Sequence, residues 1–194
     1  TITASILEDP WARQTFSDNE IHYPSMIKWE VNDQGEMTYD YTQFDQWVHF
    51  NKKLGLGDRI ILYSMAPWHE SFTYWNKGKL VYESYDINGA LYEKRWRHFL
   101  EDLTQHLMDK DWFENCYIGI DERGFHPKPF SIIKRVKNIH AQSLKTAAAV
   151  DNIDQHYDLA LSVDLLSVGD HVVKTKAARY QELYYQRRKK GLKT

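Results

Sequence analysis

The strongest constraint on this 194-residue chain is an alternation of short apolar runs with amphipathic stretches that repeats four times. Across residues 91–110, Tyr92, Trp96, Phe99, Leu103 and Leu107 recur at helical spacing, which predicts a helix burying one face. The run Tyr117-Ile118-Gly119-Ile120 that follows has no polar side, as expected of a strand inside a parallel sheet. Pro127 and Pro129 open the next helix, with Phe130, Ile133 and Val136 as its apolar residues, and residues 144–150 return as a strand ending at Asp151-Asn152. A fourth unit is expected from a short strand within residues 159–168, interrupted by Asp164, and a helix over residues 174–190 that Gly191 stops. Its last turn, Arg187-Arg188-Lys189-Lys190, reads as solvated cations favoured by the helix dipole.

The first half of the chain predicts a strand over residues 23–30, a turn at Asn32-Asp33-Gln34-Gly35, and a helix capped by Asp40 or Thr42. Phe44, Trp47, Val48 and Leu54 share one face of that helix, and a strand centred on Arg59-Ile60-Ile61-Leu62-Tyr63 follows it. Residues 71–75 and 80–83 flank Asn76-Lys77-Gly78-Lys79 as a hairpin. Strands separated by helices imply parallel pairing through right-handed crossovers, so the fold class is α/β, of the (β/α)8 TIM-barrel type. About five strands are legible, against the eight strands and roughly 250 residues of a closed barrel. Leu192-Lys193-Thr194 resembles the approach to another strand. Residues 1–194 are therefore expected to form a single, partial barrel domain whose open edge requires self-association or a companion segment.

A formal net charge of −2 argues against a nucleic-acid or acidic-membrane partner, which needs a basic face. No apolar run is long enough to span a bilayer, and residues 1–9 lack the layout of a signal peptide, leaving cytoplasmic and secreted locations both open. The single cysteine, Cys116, lies in an apolar strand and reads as a small core residue. His22 and His69 have no second ligand at helical spacing, and His98 with Asp102 reads as a surface pair, so no metal is expected. There is no glycine-rich phosphate loop or serine elbow, and no cofactor is expected.

The chemistry concentrates in Cys116-Tyr117-Ile118-Gly119-Ile120-Asp121-Glu122-Arg123-Gly124, where a buried strand ends in two carboxylates. Glycoside hydrolysis needs a proton donor for the leaving oxygen and a group that stabilises charge at the anomeric carbon. Two acids facing one desolvated cleft divide these tasks, because their repulsion raises one pKa. Adjacent residues of an ideal strand point to opposite faces, so the strand must already be turning at Asp121, and Gly124 makes such a turn plausible. The same acids could instead pair with Arg123 or cap the following helix. The chain is also 14% aromatic, with seven Trp, and sugars stack on such rings, although large aromatics also fill cores.

Asp40-Tyr41-Thr42-Gln43-Phe44-Asp45, Tyr63-Ser64-Met65-Ala66-Pro67-Trp68 and the segment from Tyr117 to Gly124 together resemble glycoside hydrolase family 123. The resemblance implies a barrel β-N-acetylgalactosaminidase that retains configuration by substrate assistance, acting on a glycan that contains N-acetylgalactosamine. On the matching positions, Asp121 would polarise the 2-acetamido group and Glu122 would serve as acid and then base. Tyr63, Trp68 and His69 would contact substrate from the rim, with Trp68 alternatively packing beside Pro67 and His69 an ordinary surface histidine. Asp151 and Asn152, at the end of their strand, would bind a hydroxyl, orient the catalytic acids, or form a turn or cap. The rival reading is a non-catalytic carbohydrate-binding barrel or an inactive fragment of a glycosidase.

Overall fold

A computed structural model describes residues 1–11, 23–123 and 126–194. In chain order the elements are β1 (Ile2–Ser5), β2 (Lys28–Val31), β3 (Met37–Asp40), α1 (Thr42–Lys53), β4 (Ile60–Tyr63), β5 (Ser71–Asn76), β6 (Lys79–Ser84) and α2 (Ala90–Asp109). They continue through β7 (Cys116–Asp121), α3 (Pro127–Arg135), β8 (Lys145–Val150), α4 (Tyr157–Ala160), β9 (Leu165–Val168), α5 (Asp170–Thr175) and α6 (Ala177–Lys189). The fold is α/β of barrel type: β1, β4, β7, β8 and β9 form one five-stranded sheet in that order, every pair parallel.

The two faces of this sheet differ. Cys116, Ile118 and Ile120 of β7 join the main core, which includes Leu103 and Phe99 of α2 and Phe130 and Ile133 of α3. Tyr117 belongs with Tyr63, Ala147 and Leu165 to a separate cluster on the other face. Side chains alternate along a strand, so Gly119 and Asp121 share the Tyr117 face. Parallel pairing thus carries the apolar run up to Asp121 and delivers that carboxylate away from the helices.

A second sheet, ordered β3-β2-β5-β6, is inserted between the barrel units. The hairpin β5–β6 was legible in the sequence, but its pairing through β5 with β2 was not. This sheet packs on α2 through an aromatic nucleus in which Trp29 lies 4.5 Å from Phe99 and 5.6 Å from Trp96 by ring centroids. Both tryptophans are buried, so much of the aromatic content fills this layer.

Several local expectations are corrected. Residues 157–160 are helical, and β9 begins only after Asp164, whose Oδ2 accepts 2.7 Å hydrogen bonds from the Thr146 amide and hydroxyl. The last helix is two, because the Lys176 backbone leaves the helical region (φ −128°, ψ 40°). Leu54 falls just past α1 and is exposed. His98 and Asp102 each bind a tyrosine, Tyr39 and Tyr41 respectively, rather than each other. Arg187, expected in solvent, is fully buried. Its guanidinium donates to the carbonyls of Ala160, Val163 and Lys193, tying α6 to the entrance of β9.

Both sheet edges have partners for their backbone. On β1, the Trp47 indole donates to the Thr3 carbonyl at 3.0 Å and the Met26 amide to the Ser5 carbonyl at 2.9 Å. On β9, Lys193 forms a parallel bridge with Leu165, and the Leu166 amide donates to the Lys193 carbonyl. The approach to another strand expected after Gly191 is visible in this pairing.

Two substitutions test this architecture. A Cβ on Gly119 would lie 1.7 Å from the Ala147 carbonyl oxygen, so Gly119→Ala forces β7 and β8 apart and is expected to cost roughly 1–3 kcal/mol or more in denaturant unfolding. Arg187→Met leaves buried carbonyls without their donor and is expected to cost about 3 kcal/mol in the same measurement.

Candidate active site

Asp121 is the last residue of β7 and is half-buried on the face it shares with Tyr117. Its Oδ2 accepts a hydrogen bond from the indole N–H of Trp11, in the loop after β1. Burial raises the Asp121 carboxyl above its ordinary range, and the indole bond opposes that rise.

Glu122 leaves the strand with φ +48°, a left-handed conformation uncommon for any residue but glycine. Its amide still donates to the Ala149 carbonyl at 3.2 Å, so the ladder ends as the side chain changes direction. The bend that two adjacent acids require is therefore made at Glu122 itself. It was expected at Asp121, which is still part of the strand; Gly124, expected to favour the turn, lies outside the described residues, as does His22. The Glu122 carboxyl is raised first by partial burial, then by the charges of Asp121 and Asp151, while His171 acts the other way. The Glu122 carboxyl thus lies within the field of Asp121.

Arg123 does not neutralise the pair. Its guanidinium reaches Glu70 at 2.6 Å and lies over the Trp68 ring at 4.8 Å. That contact occupies part of the Trp68 ring, while the Trp68 amide donates to the Pro10 carbonyl at 2.7 Å. Tyr63 is buried beneath the mouth, and its phenol is pushed up by burial and then by Asp121. His69 accepts from the Ser71 amide at Nδ1 and donates from Nε2 to the Glu8 carbonyl at 2.9 Å, so both ring nitrogens serve the backbone. Burial lowers its pKa, in keeping with that neutral tautomer. Asp151 is exposed past the end of β8, and its carbonyl accepts from His171 Nε2 at 3.0 Å. Asn152 Oδ1 accepts from the Gln155 amide at 3.3 Å, forming the turn that was one of its expected roles.

The structure therefore brings Asp121, Glu122, Asp151 and Tyr63 to one end of the sheet, with Trp68 and His69 in the adjoining rim. Sequence reasoning missed Trp11 and His171. Trp11 follows a four-residue strand too short to announce itself, and His171 lies two residues beyond Gly169 at the mouth of β9. Among the described residues, no group of three His, Cys, Asp or Glu side chains could hold a metal ion, and no helix is long and apolar enough to cross a membrane.

Burial of Asp121 gives a signed stability prediction. A carboxyl raised by folding contributes stability that is present below its unfolded pKa and lost as pH rises through its folded pKa. Asp121→Asn should therefore stabilise the protein at neutral pH, by roughly 0.5–2 kcal/mol, and the gain should vanish in acid. Thermal midpoints of both forms between about pH 3 and pH 8 check this.

The model of the glycoside hydrolase 123 catalytic domain matches residues 1–194. Among solved structures, a family 123 glycoside hydrolase from Clostridium perfringens, described for glycolipid glycan hydrolysis, is similar at a TM-score of 0.87 and 28% sequence identity. The similarity covers 99% of this chain and 34% of that one, so this chain spans about a third of the relative's length. No curated protein matches the chain.

Proposed function

This chain belongs to glycoside hydrolase family 123, and on that footing we propose that it carries the acid pair of a glycosidase releasing terminal β-linked N-acetylgalactosamine. In this proposal residues 1–194 are part of one catalytic barrel domain, completed by a companion segment, and the partner is a glycan containing N-acetylgalactosamine. The observation that carries the reading is the left-handed residue at Glu122, which sets its carboxyl in the field of Asp121 at the end of a buried parallel strand.

Glu122, the more exposed acid, has its pKa raised by partial burial and then by Asp121 and Asp151, and is suited to hold a proton. It donates that proton to the glycosidic oxygen as the bond from the anomeric carbon to that oxygen breaks. The substrate's 2-acetamido oxygen forms the new bond to the anomeric carbon, giving an oxazolinium intermediate. Asp121, ionised, accepts the acetamido N–H and balances the developing positive charge. Water then loses a proton to Glu122 and attacks the anomeric carbon, opening the oxazolinium ring with overall retention. Trp68 and Tyr63 shape the sugar site, Asp151 and Asn152 face its hydroxyls, and His69 supports the rim.

The rival reading, a carbohydrate-binding or inactive fragment, draws on the 34% share of the solved relative that this chain spans. Glu122→Gln in the full-length protein separates the two. Under the enzymatic reading it lowers kcat on a chromogenic β-N-acetylgalactosaminide by about 10²–10⁴-fold, while sugar affinity measured by calorimetry stays nearly intact. An unchanged rate, or no cleavage by the unmutated protein, favours the rival. Replacing the substrate's acetamido group with hydroxyl should also abolish turnover; an unchanged rate would exclude substrate assistance.

A further inference from the structure

We infer that Trp11 is a positioning residue for Asp121: its indole N–H holds Oδ2 and leaves Oδ1 to receive the acetamido N–H of the substrate. This deepens the glycosidase reading above and rests on it. An indole N–H donates and cannot accept, so it favours the carboxylate without entering proton transfer. The donor is also held in place. The Trp11 ring packs against the Tyr63–Tyr117 cluster and meets Tyr23 edge-on, at 4.8 Å between centroids and 86° between planes.

The backbone leading to Trp11 is fastened almost residue by residue. The Ile6 amide donates to the Tyr63 carbonyl at 2.9 Å, the Glu8 amide to Thr73 Oγ1 at 2.8 Å, and the Asp9 amide to the Tyr23 carbonyl at 2.7 Å. His69 Nε2 holds the Glu8 carbonyl, and the Trp68 amide holds the Pro10 carbonyl. The inserted sheet and the rim thus brace a strap that ends on the acetamido-polarising acid. A donor fixed before substrate arrives costs no reorganisation during the reaction.

Among the described residues, Tyr63 from β4 and Glu122 beside it feel the charge of Asp121, and neither supplies positive charge. The Trp11 bond therefore works against the burial that raises the Asp121 carboxyl.

Trp11→Phe keeps an aromatic ring and removes the donor. In full-length protein labelled with ¹³C-aspartate and ¹⁵N-tryptophan, the Asp121 carboxyl should titrate at higher pH in Trp11→Phe than in the unmutated protein. Independently of any variant, the unmutated Trp11 indole ¹⁵N–H resonance should follow the Asp121 titration. On a β-N-acetylgalactosaminide, kcat should fall about tenfold with KM little changed, and Trp11→Phe should have no added effect in an Asp121→Asn background. An indole resonance that ignores Asp121, or an Asp121 titration unmoved by the substitution, overturns the inference. If the full-length protein cleaves no such substrate, the glycosidase reading falls, and the two titrations still decide whether Trp11 governs Asp121.

Discussion

Everything at the mouth of the sheet depends on how β7 ends. Parallel pairing with β4 and β8 holds the strand extended through Asp121, and alternation places that carboxylate on the face away from the helices. A regular continuation would send Glu122 toward the helical core, where an ionised carboxylate would be costly. The left-handed backbone at Glu122 avoids full burial and leaves the carboxyl raised by partial burial and then by the charges of Asp121 and Asp151. A conformation of this kind costs of order 1–3 kcal/mol for a residue other than glycine and persists only where its surroundings enforce it. Here the amide bond to Ala149 on one side and the Arg123–Glu70 pair on the other fix the backbone across the bend.

The inserted sheet contributes to the same end. Its aromatic nucleus packs it against α2, and its hairpin supplies Thr73 as the anchor for Glu8. His69 adds a second clamp on the same residue, with its neutral tautomer set by the Ser71 amide. Both anchors hold Glu8, three residues before Trp11. The hairpin looks like an ornament in the sequence; in the folded chain it fastens the strap that reaches Asp121.

What was legible in the sequence follows from the physics of each signal. The helix containing Trp96 and Phe99 is long and strongly periodic, and its position was read to within a residue. The strand before Asp121 was read correctly because burial on both faces leaves a continuous apolar run. β1 and β3 have four residues each and include exposed polar positions, too few for a period to emerge. Arg187 was misread because its burial depends on carbonyls left over at α4 and the entrance of β9, brought together only by tertiary packing. Both acids were visible, whereas Trp11, more than a hundred residues away in sequence, had no local mark. The bend was expected at Asp121, one residue too early, since the tolerance of Glu122 for a left-handed backbone comes from its neighbours and not from its own side chain.

Adjacency of the two acids also bears on chemistry. A retaining glycosidase with its own carboxylate nucleophile places its two acids about 5–5.5 Å apart on opposite sides of the anomeric carbon. Two residues consecutive in one chain, reaching out from a single strand end, are poorly placed to flank a sugar in that way. They are well placed to work on the same side, one at the leaving oxygen and one at a neighbouring substituent of the ring. In the proposed substrate-assisted mechanism, where the substrate itself supplies the attacking oxygen, proximity of the acids becomes useful, because the charge on Asp121 would help keep the proton on Glu122 until the glycosidic oxygen takes it. The protons then belong to the pair, and a pH–rate profile would report the two macroscopic pKa values of that pair.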